Sequence, residues 1–142
     1  MKKWLFFLLL LVVFLLSACS NNDELSGKTF DISVVAMSPN DTSANYTPVM
    51  TLEFSDGNKV KNTRDDEEGV YELKEDKLVI LFKNENEHLE VEFTLKESDK
   101  EFSEYSAEIS DLDFQMVDST QVSKYKGLYQ KLWDNHFEII ER

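Results

Sequence analysis

Few residues of this chain combine a reactive type with a useful spacing. Cys19 is the only cysteine, so no disulfide can form within the chain and no cysteine-based metal site can be built. His88 and His136 are the two histidines. They are far apart and lack companions at ligand spacing, which points to surface residues, not metal ligands. Two oxygen-rich stretches, "DDEE" at 65–68 and "SDLD" at 110–113, could in principle hold calcium. A calcium loop needs about six or more shaped oxygens, a turn glycine and a closing glutamate. Neither stretch has that pattern, so both read as solvated turns. Carboxylate pairs of the kind glycosidases use arise by chance in a chain with 28 Asp and Glu. No Gly-x-Ser-x-Gly elbow occurs, and the four glycines never cluster into a phosphate loop. The expectation is a protein that is not an enzyme and that takes no metal and no cofactor.

That leaves the thiol, whose setting is informative. Lys2 and Lys3 precede an uninterrupted apolar run from Trp4 to Leu16, thirteen residues long. A membrane-spanning helix needs about 20, whereas this length and the basic start suit a secretory leader. The polar residues 20–24 that follow supply no stop-transfer segment. Ordinary signal peptidase wants small residues at −1 and −3. Ala18 suits −1, but Leu16 is large for −3. Leu16-Ser17-Ala18-Cys19 instead resembles the lipobox of bacterial lipoprotein precursors. The resemblance implies that the Cys19 thiol takes a diacylglycerol, that the bond after Ala18 is cut, and that Cys19 becomes the new N-terminus. Two acyl chains would then hold the protein stably on the extracytoplasmic face of the cell membrane, where a single chain binds only marginally. "VVFLLSA" at 12–18 also resembles peptide pheromones released from some lipoprotein signals, a pattern nearly generic for apolar leaders.

Without residues 1–18, the 142 residues become 124, one domain's worth. Such a chain can bury roughly two-thirds of its unfolded surface and needs no staples. The leader takes two of the 15 basic residues, leaving 13 against 28 acidic ones and a net charge of −15. A surface of that sign repels phosphate backbones, so nucleic acid is a poor partner. It also holds the body off anionic headgroups.

The elements that would carry any site are mostly strands. Residues 20–26 read as a polar tether, so the chain divides into a leader at 1–18, a tether at 19–26 and a domain at 27–142. Period-two alternation then dominates. Phe30, Ile32 and Val34 alternate with Asp31 and Ser33, and Met50, Leu52 and Phe54 with Thr51, Glu53 and Ser55. Leu89, Val91, Phe93 and Leu95 form the cleanest pattern, and "DGNK" at 56–59 suits a hairpin turn. "NTRDDEEG" at 62–69 reads as a charged loop. "LVILF" at 78–82 lacks alternation, which predicts cover on both faces. Parity slips by one at Ser110-Asp111, predicting a bulge or a tight turn. The expected strands are 29–37, 49–55, 58–62, 70–74, 77–83, 88–96, 102–110 and 112–117. Short connections make them an antiparallel meander, and closure into a barrel removes both edges. An open bent sheet carrying a helix is the rival.

Near Asp118 the period changes. Val122, Tyr125, Tyr129, Leu132 and Trp133 share a face at 3.6 spacing. A helix capped by Asp118, Ser119 or Thr120 and ending near Asp134 is expected. "FEII" at 137–140 could add a short last strand.

Gly27-Lys28-Thr29-Phe30 at the first strand, the long loop 38–48 after it, the meander and the closing helix together resemble lipocalin-like barrels. In particular they resemble the small lipoproteins that look like slimmed lipocalins, over residues 27–142. The resemblance implies a mainly β fold, with a small barrel of about eight strands and one C-terminal helix. It also implies a small apolar ligand inside, with the loop 38–48 gating the mouth. The candidate lining residues are Phe30, Ile32, Met50, Leu52, Phe54, Tyr71, Ile80, Phe82, Val91 and Phe93. The same side chains would make an ordinary packed core, which is the favoured reading. In that case the barrel is a scaffold, and its outer face or loops would bind an envelope protein.

Overall fold

A computed structural model describes residues 23–35, 42–133 and 136–142. Cys19 and the leader lie outside them, as does the 38–41 part of the expected gating loop.

The alternating patterns form eight antiparallel strands that close into a barrel, each paired with its sequence neighbour and the last with the first. They are β1 (Thr29–Val35), β2 (Tyr46–Ser55), β3 (Lys59–Asn62), β4 (Glu67–Lys74), β5 (Lys77–Lys83), β6 (Glu87–Glu97), β7 (Tyr105–Met116) and β8 (His136–Glu141). Among the described residues, one α-helix, α1 (Lys126–Lys131), lies between β7 and β8. The meander makes alternate connections fall at opposite ends. The turns at 56–58, 75–76 and 98–104 lie at what we call the lower end, and those at 63–66 and 84–86 at the upper.

Tight turns set the register. Gly57 and Asn58 both take positive φ between β2 and β3, the backbone that a primed hairpin turn demands. Glu75 does the same where Lys74 pairs with Lys77. Gly69 is needed for another reason. A Cβ there would come within 2.5 Å of the Leu81 carbonyl oxygen and 2.8 Å of the Phe82 ring.

Several boundaries differ from the sequence reading. The segments 102–110 and 112–117 are one strand, β7. Asp111 pairs with Glu92 and Ile109 with Phe93, leaving Ser110 as the extra residue of a bulge. The bulge absorbs the parity slip, so Ala107, Ile109, Leu112 and Phe114 all face the side that Leu95, Phe93, Val91 and Leu89 face. The eighth strand is therefore β8, the segment read as an optional addition, and the helix precedes it. β2 starts earlier than expected, at Tyr46, and admits Pro48 at a second irregularity opposite Ser33, where a missing N–H is tolerated. A 3-10 turn at Ser43–Asn45 leads into it. β4 likewise starts inside the expected charged loop. β5 is covered on one face only: Leu78, Ile80 and Phe82 are buried, while Val79 and Leu81 are half-buried.

The helix is shorter than its periodicity implied. Asp118 caps a local turn, accepting from the Thr120 amide and hydroxyl, and no side chain caps α1 at Tyr125. Tyr125, Leu128 and Leu132 are buried, whereas Val122 is 98% exposed and Trp133 66%. The last four residues of the stretch read as tether belong to the fold, since Leu25 is buried in the core.

Candidate functional site

The ten residues proposed to line a cavity all point into the barrel, and none is more than 3% exposed. They are brought together as one core with Leu25, Val60, Leu78, Leu89, Leu95 and Phe137. Rings meet edge to face across it: Phe30 with Phe54 at 6.0 Å between centroids, Phe54 with Tyr71 at 4.7 Å, and Phe93 with Phe137 at 5.9 Å. Such pairs are worth about 0.5–1.5 kcal/mol beyond area burial. A barrel of eight strands is wide enough only for its own side chains or one small ligand, and here the side chains reach one another.

Residues 23–27 close the lower end. The Asp23 carboxylate accepts from the amides of Leu25 and Ser26, each at 3.0 Å, and so bends the chain locally. The same oxygen accepts from the Tyr71 hydroxyl at 3.1 Å. Gly27 donates to the Phe54 carbonyl and Phe54 to that of Lys28, both at 2.9 Å. Leu25 is thereby set against the core. Burial, with Asp23 alongside, pushes the Tyr71 phenol up to about 12. Tyr105, beside Glu24, is pushed to about 12 in the same way, burial again leading.

A crossover from β7 to β8 closes the upper end. Val117 donates to the Asn86 carbonyl, and the Asn86 side chain holds both backbone groups of Asp118. The chain then reaches β6, where Glu87 accepts from the Ser123 hydroxyl and the Lys124 amide. Ser123 in turn accepts from the Lys126 amide at 2.9 Å, at the start of α1. Tyr125 lies beside Phe82, with centroids 6.2 Å apart. Tyr129 stacks on Phe114 at 5.2 Å and carries Trp133 at 5.7 Å.

Beneath this crossover lies a polar layer that the sequence reading missed. Asn62, Glu67 and Glu87 are buried at 0, 2 and 5% exposure. Asn62 uses its whole amide. It accepts from the amides of Thr51 and Arg64 and donates to Asp65 at 3.1 Å and to Glu67 at 3.2 Å. Burial pushes the Glu67 carboxyl up. The Asn62 bond and Lys124 oppose this, while Asp65 and Glu87 add to it. At Glu87 burial also acts upward, but the bonds from Ser123, the Lys124 amide and Asn84 together outweigh it. They hold that carboxyl below the usual glutamate range. One signal was legible: Glu67 is in phase with Tyr71 and Leu73, and Glu87 with Leu89 and Val91.

The histidines sit apart on the outer wall. His88 Nε2 is 2.9 Å from the Asp113 carboxylate, and His136 Nδ1 is 3.4 Å from that of Glu108. Within "DDEE", Asp66 pairs with Lys61 at 2.8 Å, while Glu67 turns inward. Among the described residues, no three His, Cys, Asp or Glu side chains converge as metal ligands would. A further carboxylate, Glu138, is buried on the outer face of β8. It accepts from Ser98 at 2.9 Å, Ser103 at 2.7 Å and Ser106 at 2.9 Å, with Lys100 at 3.6 Å. These bonds fasten the 98–104 turn onto the wall. A groove of about 570 Å³ runs beside it, past Tyr46 and His136. A second groove, of about 650 Å³, crosses β2 to β5 over Val70 and Leu81, rimmed by Lys59, Lys61 and Lys83. Both are concavities of the outer surface. No helix among the described residues is long and apolar enough to cross a membrane. No family model, curated protein or solved structure matches the chain.

Proposed function

We propose that this protein is a lipid-anchored scaffold on the extracytoplasmic face of the cell membrane, with its outer surface as the working part. The observation that carries the scaffold reading is the packing inside the barrel. The ten candidate lining residues pack against one another, with Leu25 seated below them and Tyr125, Leu128 and Leu132 above. A small apolar ligand would have to displace these contacts, at a cost of the order of a core repacking. The partner that fits is another protein of the envelope, held by the loops or by one of the outer grooves. The anchor reading rests on the leader's length, its basic start and the Leu16-Ser17-Ala18-Cys19 motif.

Thermal melting of the full chain against a panel of fatty acids tests the scaffold reading. A ligand at about a hundred times its Kd stabilises by about 2.7 kcal/mol. The expected result is an unmoved midpoint for every acid, and a concentration-dependent rise with any of them would restore the carrier reading. For the anchor, mass spectrometry of the protein from its native host should show diacylglycerol on Cys19 and the leader removed. A bare thiol, or a leader still attached, would reject lipidation at that thiol.

A further inference from the structure

The upper mouth holds two carboxylates with opposite surroundings; the crossover is hydrogen-bonded to Glu87 and coupled by charge to Glu67. Glu87 is a latch. Its oxygens bind the Ser123 hydroxyl and the Lys124 amide, and Ser123 relays the hold to the first turn of α1. Glu67 lies in the same polar layer with one hydrogen-bond donor among the bonds described, the Asn62 amide at 3.2 Å. The groups that face it are Asp65 from the β3–β4 turn, Glu87 from β6, and Lys124 and Tyr125 from the crossover. The Lys124 ammonium also reaches the Asp66 carbonyl, at 3.3 Å. Around Glu67, two carboxylates, Asp65 and Glu87, thus stand against one ammonium.

Ionised Glu87 has the donors it needs. Ionised Glu67 puts a second negative charge into a buried space, against Asp65 and Glu87. We propose that the crossover is a proton-tuned cap, seated most firmly when Glu67 holds a proton and Glu87 does not, and loosened when both are charged or both are neutral.

The direction of each limb follows from linkage. Glu67, raised in the fold, contributes stability that is full below the ordinary glutamate range and is lost as the pH rises through its folded value. Glu87, lowered in the fold, contributes stability that is full above the ordinary range and is lost as the pH falls through its folded value. Seating is therefore tightest near the ordinary glutamate range. This inference does not depend on the anchor or the scaffold reading.

Hydrogen exchange of the full chain in nonionic detergent, from about pH 3 to about pH 8, reads the cap directly. Peptides covering 117–133 are corrected for intrinsic exchange and compared with peptides from β6. Crossover protection should peak near the ordinary glutamate range and fall on both sides, changing about tenfold for each unit by which a group is displaced. Glu67→Gln should keep protection high through the upper limb. Glu87→Gln should lower it from the peak upward and flatten the acid limb. Should that variant not fold, Ser123→Ala should weaken the same limb. A flat profile in the parent, an unchanged upper limb in Glu67→Gln, or an equal change in the β6 peptides would overturn the proposal.

Discussion

The lower end of the barrel is closed by residues 23–27, adjoining the strand that they precede, through one apolar side chain and a phenol held to Asp23. The upper end is closed by a crossover reaching from β7 to the turns of β3–β4 and β5–β6, which packs Tyr125, Leu128 and Leu132 on the core and is fastened through carboxylates and backbone amides. An apolar stopper depends on burial and tolerates any pH at which its neighbours keep their charge. A polar latch depends on which oxygens are ionised. One barrel thus has two closures that differ in one respect: both answer to packing, and the upper one also answers to mild changes around the glutamate range.

Substitutions can break this contrast end by end. Leu25→Ala removes the apolar stopper and leaves a void, and should cost about 2–5 kcal/mol in denaturant unfolding. Glu87→Gln removes one of the two oxygens that hold the Ser123 hydroxyl and the Lys124 amide, and should cost about 1–3 kcal/mol. Tyr71→Phe deletes one hydrogen bond to Asp23 and should cost about 0.5–1.5 kcal/mol, because the ring stays against Phe54. The pH response sharpens the comparison. Tyr71 and Tyr105 are raised from 10.0 to about 12, so their contribution is full below pH 10.0 and lost as the pH rises through about 12. A pH titration of stability should show that alkaline loss in the parent, reduced in Tyr71→Phe. Glu87→Gln should leave the alkaline loss intact. A shared pH response of both variants would merge the two ends into one.

Much of this architecture was legible because a half-buried strand announces itself at period two. Phe30, Ile32, Met50, Leu52, Phe54, Val91 and Phe93 were assigned inward from alternation alone, and all are buried. The slip at Ser110 announced an irregularity, but parity is lost in the same way at a bulge and at a turn. Only the pairing of Asp111 with Glu92 distinguishes them. The helix misled for a long-range reason. Val122 to Trp133 fits a 3.6 period, but Glu87, distant in sequence, takes the Ser123 hydroxyl and the Lys124 amide, and the helix starts only at Lys126. Glu67 and Glu87 hid in turns by composition, where acidic residues are expected. Their inward phase was the one clue, and a carboxylate in a barrel mouth is improbable until Asn62 or Ser123 is seen beside it.

The central claim is a barrel filled by its own side chains. Val91→Phe tests it most directly, because Val91 faces inward and is 1% exposed on β6. In a filled barrel the larger ring overpacks the core, and urea unfolding should show a loss of about 1–3 kcal/mol. Unchanged or increased stability would mean that the interior has room to spare, and would contradict the account.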